Sequence, residues 1–285
     1  TLSTGMFVNG SDGKIKNHLK FETLNLNQGG SVVIDAVPST ITPENPAMSF
    51  SDGTINFNGG SFSLVINKET VDSSKIVVSV GNSKNQNKGI VNFYQGNYAF
   101  GDVKVDNGSV TVGVENKDLN PNKNSVSLSV NSLSLDNTSS ASIEGGTVSI
   151  AEGLTVAEQA SLTVTGGTTT IGKNSTVTGT LTQTGGTIVN KGTFTIANKS
   201  GLTLGGTNAE GALFDNQGKI TGASLTIDNG ATVSTSITEK TYAVAETTIN
   251  KGGVLNLTSL NSDDGTRLLI SGTEAAADGK TNAQA

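Results

Sequence analysis

Two short apolar stretches, each alternating with polar residues and separated by a polar corner, recur along the chain, and this repeat constrains the fold more than any other feature. The clearest copies are Leu24-Asn25-Leu26 then Val32, Leu154-Thr155-Val156 then Leu162-Thr163-Val164, Phe194-Thr195-Ile196 then Leu202-Thr203-Leu204, and Leu225-Thr226-Ile227 then Val233. In each copy the last apolar residue before the corner precedes the first one after it by six positions, and Ile171 to Val177 and Ile249 to Leu255 keep the interval. A shared interval is read here as a shared corner. Corners such as Ala197-Asn198-Lys199-Ser200-Gly201 and Asp228-Asn229-Gly230-Ala231-Thr232 consist of residues that accept left-handed backbone or bond their own turn.

A second mark is Gly-Gly followed by Ser or Thr, at Gly59-Gly60-Ser61, Gly145-Gly146-Thr147, Gly166-Gly167-Thr168, Gly185-Gly186-Thr187 and Gly205-Gly206-Thr207. The last four recur at about twenty residues, the length of one coil of a solenoid. Strands of three to five residues cannot stand alone, and none of the corners is the two-residue connection of a tight hairpin. Stacking successive coils in parallel resolves this, with Val, Ile and Leu inside and Thr, Ser, Asn and Lys facing water. The expected fold is all-β, a single-stranded parallel β-helix forming a rod on the order of 60 Å long. Val156, Ile171, Ile196, Ile227 and Ile249 are expected to form one inward column.

The repeat is regular over 125–270 and looser over 1–124. The first hundred residues hold Phe7, Phe21, Phe50, Phe57, Phe62, Phe93 and Phe100 together with Tyr94 and Tyr98, which predicts wider, more decorated coils. Pro38, Pro43 and Pro46 fall in the stretch 37–48, which reads as a loop leaving the solenoid, because Pro cannot donate to a ladder. The tail 271–285 is small, polar and aperiodic, and reads as a linker or frayed end.

Composition narrows the function. There is no Cys and one His, which removes disulfides, thiolate metal sites and most imidazole chemistry, so no cofactor or metal is expected. A net charge of −6 argues against nucleic acid or an anionic bilayer as the main partner. No apolar run approaches the roughly 20 residues that span a bilayer, so any membrane anchor is expected outside these residues.

The pattern Leu225-Thr226-Ile227-Asp228-Asn229-Gly230-Ala231-Thr232-Val233, repeated with variations, resembles the passenger region of bacterial autotransporters and related haemagglutinin-like exoproteins. The resemblance is one of repeat style and covers most of the chain. It implies a right-handed parallel β-helix on a bacterial cell surface, acting as an adhesin or self-associating scaffold. Surface-layer proteins share the acidic, Cys-free, Thr- and Asn-rich composition, and that class stays open. The implied partners are further copies of the chain, or glycans and proteins of neighbouring cells.

Catalytic signatures are sparse. No Gly-x-Ser-x-Gly elbow is present, nor the Gly-Asp-Ser-Gly signature of the family's passenger proteases, and His18 sits in the polar stretch Lys16-Asn17-His18-Leu19-Lys20, where it reads as a surface residue. β-Helix polysaccharide lyases and hydrolases work through clustered carboxylates; the candidates are Asp102 with Asp106, Glu115 with Asp118, and Asp263 with Asp264. Each pair lies at a turn, where acids are expected anyway, and Arg267 is the lone guanidinium. The calcium-repeat motif Gly-Gly-x-Gly-x-Asp is missing. Thr163 and Thr165, Thr168 and Thr170, Thr182 and Thr184, and Thr193 and Thr195 would suit ice binding if they shared one flat face, against the plainer reading that Thr is a good outward strand residue. The local anomaly is Asn92-Phe93-Tyr94-Gln95-Gly96-Asn97-Tyr98-Ala99-Phe100. Phe93 and Phe100 are expected to fill the interior, whereas Tyr94 alternates with Phe93 and is expected to point outward, as an amphipathic ring suited to recognition. The expected recognition surface is therefore Tyr94 and Tyr98 with Pro43, Glu44 and Asn45 of the loop.

Overall fold

Each turn of the chain has three sides. In the turn that begins at the strand Ser140–Ile143, that strand forms a first face. The following strand Thr147–Val156 bends midway, so that residues 147–150 form a second face and 153–156 a third. Each segment then pairs in parallel with the equivalent segment one turn later: Ile143 with Val164, Ile150 with Ile171, and Val156 with Val177. This computed structural model describes residues 2–4, 23–28, 31–36, 47–50, 53–66, 69–86, 88–114, 122–237 and 241–260, and they form an all-β parallel solenoid. Among the described residues there is no α-helix, only the short 3-10 turns Ser73–Lys75 and Ser83–Asn85.

The second face carries eight successive rungs, so about eight turns are stacked. On the first face Ile143, Val164, Gln183, Leu204, Ile227 and Ile249 succeed one another, giving turns of 21, 19, 21, 23 and 22 residues. Upstream, Leu26, Phe57, Phe93, Val112 and Ile143 follow at 31, 36, 19 and 31 residues. The longer intervals accommodate excursions from the stack. One of these is a separate sheet in which Leu2–Thr4, Ser31–Ala36 and Ser61–Ile66 run parallel and Glu69–Thr70 returns antiparallel.

Alternation buries two residues per side per turn, producing inward columns of Val, Ile and Leu with Phe57, Phe194 and Phe214 fully enclosed. Each such side chain contributes roughly 1.5–3 kcal/mol of burial. The registers correct the single column expected from the sequence. Val156 and Ile196 belong to the third face, Ile171 to the second, and Ile227 and Ile249 to the first. The six-residue interval is accordingly found at all three corners, because one side of the triangle takes six to seven residues wherever it lies. Ile249 also departs from the expected burial. It continues the column of Ile227, but in the last described rung of that face it is 45% exposed.

Gly-Gly marks the one shared corner, between the first and second faces. Gly146, Gly167 and Gly186 there have φ of 72°, 67° and 64°, and a Cβ on Gly167 would stand 2.4 Å from the Gly146 carbonyl oxygen. Left-handed backbone and close stacking both require glycine. Between the second and third faces, inward polar residues tie the C-terminal turns together. Asn190 Nδ2 donates to Asn216 Oδ1 at 2.7 Å, and Asn216 Nδ2 donates to Thr235 Oγ1 at 2.9 Å. The loop 37–48 ends in the sheet: Ala47 and Met48 begin the strand Ala47–Phe50, paired with Val77–Val80, and Met48 is buried. Its other residues, with Pro43, Glu44 and Asn45, and the tail 271–285 lie outside the described residues.

Candidate functional site

The aromatic stretch lies in the strand Gly89–Asp106, which supplies all three faces of one turn. Phe93 pairs with Phe57, but Asn58 pairs with Gln95, so Tyr94 is the extra residue of a bulge. The bulge breaks the alternation on which an outward Tyr94 was expected, and Tyr94 is only 8% exposed. Tyr98 is half-buried. Its hydroxyl donates to the Gln95 carbonyl at 2.9 Å and accepts from the Gly59 N–H at 3.0 Å, and burial raises its pKa above the usual phenol value. Its ring packs edge-on to Phe57 at 5.0 Å, and Phe57 stacks on Phe93 at 4.9 Å. Tyr94 thus serves the interior of the turn and does not point outward as the sequence led us to expect, while Tyr98 is held half-buried by its two hydrogen bonds.

What this aromatic floor supports is a gap. After Asn58 the chain leaves the stack as Ser61–Ile66 and returns through Ser73–Lys75 to the third-face strand Val77–Val80. No described strand therefore covers residues 97–100 from the N-terminal side, whereas 126–130 cover them from the other. The opening is closed at one end by the Gly59 N–H on the Gln95 carbonyl, 2.9 Å, and at the other by the Gly101 N–H on the Ile76 carbonyl, 2.8 Å. The result is a cleft of about 250 Å3 lined by Gly59, Gly60, Ser61 and Ser73 on one side and 96–100 on the other. Little in the residue pattern marks this cleft. Its only mark was the long interval from Phe57 to Phe93.

Of the candidate carboxylates, the two among the described residues, Asp102 and Asp106, are held by local bonds. Asp102 accepts from the Ser132 hydroxyl at 2.7 Å. Asp106 accepts from the Ser83 N–H at 3.2 Å, the Ser83 hydroxyl at 2.9 Å and the Asn137 amide. Burial raises the Asp106 pKa, but the donors from Asn137 and Ser83 outweigh it and hold the group below the usual carboxylate range. Among the described residues no three His, Cys, Asp or Glu side chains converge on a metal site. His18, Glu115, Asp118, Asp263, Asp264 and Arg267 lie outside them.

No family model, curated protein or solved structure matches the chain. The threonine pairs do not share a face: Thr163 and Thr182 lie on the first, Thr168 and Thr170 on the second, Thr193 and Thr195 on the third, and Thr165 and Thr184 at a corner. Across turns, however, the side of the first-face pleat away from the core carries a rank of Asn25, Asn56 (8% exposed), Asn92, Thr111, Ser142, Thr163 and Thr182, followed after the single pair Gln183–Leu204 by Thr203, Thr226 and Thr248. Near its start the rank is cross-bonded, with Asn92 Nδ2 on Asn56 Oδ1 at 2.9 Å and Asn56 Nδ2 on Asn25 Oδ1 at 2.7 Å. The ion pair of Lys173 with Glu152, 2.7 Å, sits away from this face at a corner, whereas at its edge the Ser142 hydroxyl donates to the Glu144 carboxylate at 3.3 Å and Glu246 stands two residues before Thr248.

Proposed function

We propose that the chain is a non-enzymatic rod of a bacterial cell surface that works through its outer faces, in adhesion, self-association or a structural layer. The observation that carries this reading is the Asn, Ser and Thr rank on the first face, a ribbon of uncharged hydrogen-bonding side chains at a spacing of about 4.8 Å per turn. Such a ribbon suits repeated weak contacts, whose effect multiplies when many are made at once. Its partners are further copies of the rod, or glycans and proteins of neighbouring cells. Right-handed winding, the usual sense of parallel β crossovers, is part of the proposal, as is kinship with autotransporter passengers and haemagglutinin-like exoproteins.

The test places charge on the ribbon. A Thr182→Lys, Thr203→Lys double variant should keep the wild-type melting temperature within a few degrees, since neither side chain is buried. Adhesion to cells and sedimentation of self-associated material should both fall. Unchanged adhesion and unchanged association would remove the first face from consideration, and release of products from an acidic polysaccharide with Ca2+ would overturn the non-enzymatic reading.

A further inference from the structure

We infer that the rod holds two internal water-binding sites, one at each of two interior corners shared by the turns 161–177 and 180–196, where a single water joins a side-chain amide of one turn to a hydroxyl of the turn beneath. The sites lie within the core and do not depend on the outer-face reading.

Four inward side chains of these turns are polar, Thr169 and Ser175 in the first and Gln183 and Asn190 in the second, and each is no more than 2% exposed. They fall into two pairs. Gln183 stands over Val164 as the last inward residue before the Gly-Gly corner, and Thr169 is the first inward residue past that corner in the turn beneath. Asn190 stands over Ile171 as the last inward residue of the second face, and Ser175 is the first inward residue of the third face in the turn beneath. Each pair sets an amide diagonally above a hydroxyl, across one corner.

The amide nitrogens fix which way the oxygens point. Gln183 Nε2 donates to the Gly186 carbonyl in its own corner at 3.2 Å and to the Leu213 carbonyl of the turn above at 2.9 Å. Asn190 Nδ2 donates to the Gly192 carbonyl at 3.1 Å and upward to the Lys219 carbonyl at 3.0 Å and to Asn216 Oδ1. With the nitrogens drawn upward, Gln183 Oε1 and Asn190 Oδ1 are turned toward the turn beneath. Asn216 shows the same orientation completed, since its nitrogen bonds Thr235 above and its oxygen accepts from Asn190 below.

Gln183 Oε1, Asn190 Oδ1, Thr169 Oγ1 and Ser175 Oγ are buried and have no partner within the chain. A buried acceptor left unpaired bears the full cost of its desolvation. The amide oxygens only accept, and neither hydroxyl reaches one directly, so the group that joins each pair must donate to the oxygen while bonding the hydroxyl. Water does both, and one molecule at each corner satisfies all four atoms. Two neutral oxygens are too few ligands to replace the hydration shell of a cation.

A high-resolution crystal structure of the unaltered chain should show one ordered water within about 2.7–3.2 Å of both Gln183 Oε1 and Thr169 Oγ1, and a second within the same reach of Asn190 Oδ1 and Ser175 Oγ. Thr169→Val and Ser175→Ala put the same question as stability. If a water bridges, each variant removes one of its anchors and weakens its hold on the amide oxygen, so the urea midpoint should fall. If the hydroxyl is an orphan, its removal relieves a desolvated group and the midpoint should rise. Thr176→Val, on the exposed side of the strand that holds Ser175, should leave the midpoint unchanged and serves as the control. A direct bond between hydroxyl and amide, the lack of a water at either corner of the crystal structure, or a midpoint raised or unchanged in either interior variant would overturn the inference.

Discussion

Asn216 shows how a buried polar residue can join turns that hydrophobic stacking alone leaves free to slide. Its Nδ2 reaches Thr235 Oγ1 and the carbonyls of Gly218 and Thr241, while its Oδ1 accepts from Asn190. Truncation to Ala leaves a cavity and strands buried partners, so Asn216→Ala should cost about 2–4 kcal/mol, read as a lower denaturation midpoint in urea. A loss below about 1 kcal/mol would show that the ladder is incidental. Tyr98 makes a pH-dependent contribution instead. Burial favours its neutral form, so its folded pKa lies above the unfolded value near 10, and its stabilisation is complete below that value and lost as pH rises through the folded pKa. The melting temperature of wild type should therefore exceed that of Tyr98→Phe at pH 8, and the gap should narrow above about pH 10. A gap that stays constant to pH 11 would place the phenol elsewhere.

Within one strand the two faces of the pleat should respond in opposite ways. In Thr193–Ile196, Ile196 is 3% exposed on the core side and Thr195 lies on the outer side. Ile196→Asp would bury an unpaired carboxylate, at a cost of several kcal/mol or a sharply raised pKa, whereas Thr195→Asp should change stability by no more than about 0.5 kcal/mol. Equal melting temperatures for the two variants would contradict the register. This alternation was legible in the sequence wherever apolar and polar residues took turns, as at Phe194-Thr195-Ile196. It failed where an inward position is polar, as at Thr169, Gln183 and Asn190, because alternation identifies a face by its apolar members. It failed again at Tyr94, where one extra residue in Gly89–Asp106 shifts the phase of everything after it. The cleft escaped because it depends on what the chain omits between Asn58 and Ile76. No local pattern marks a missing rung.

Because each turn touches only its neighbours, the stability of the stack should behave as a sum of turns and interfaces. The sequence offers a clean test. Thr165-Gly166-Gly167 and Thr184-Gly185-Gly186 occupy the same corner one turn apart, and Val164 pairs with Gln183. Deleting 165–183 removes one whole turn and joins Val164 to Thr184, so the Gly-Gly corner follows the first face as before. The rungs 187–190, 193–196 and 202–204 then stack on 147–150, 153–156 and 161–164, with Ile150 meeting Asn190, Val156 meeting Ile196 and Val164 meeting Leu204. Every inward position remains inward. This variant should keep the β circular dichroism spectrum and a cooperative melt, with a modest loss of stability from one fewer turn. Deleting only 165–172 instead joins the first face directly to a third-face strand, leaving one turn without its second side and exposing the Ile150 column. That shorter deletion should be the more damaging of the two, reducing soluble yield or abolishing the cooperative transition. If removing eight residues proved milder than removing nineteen, the three-sided turn would not be the unit from which the rod is built.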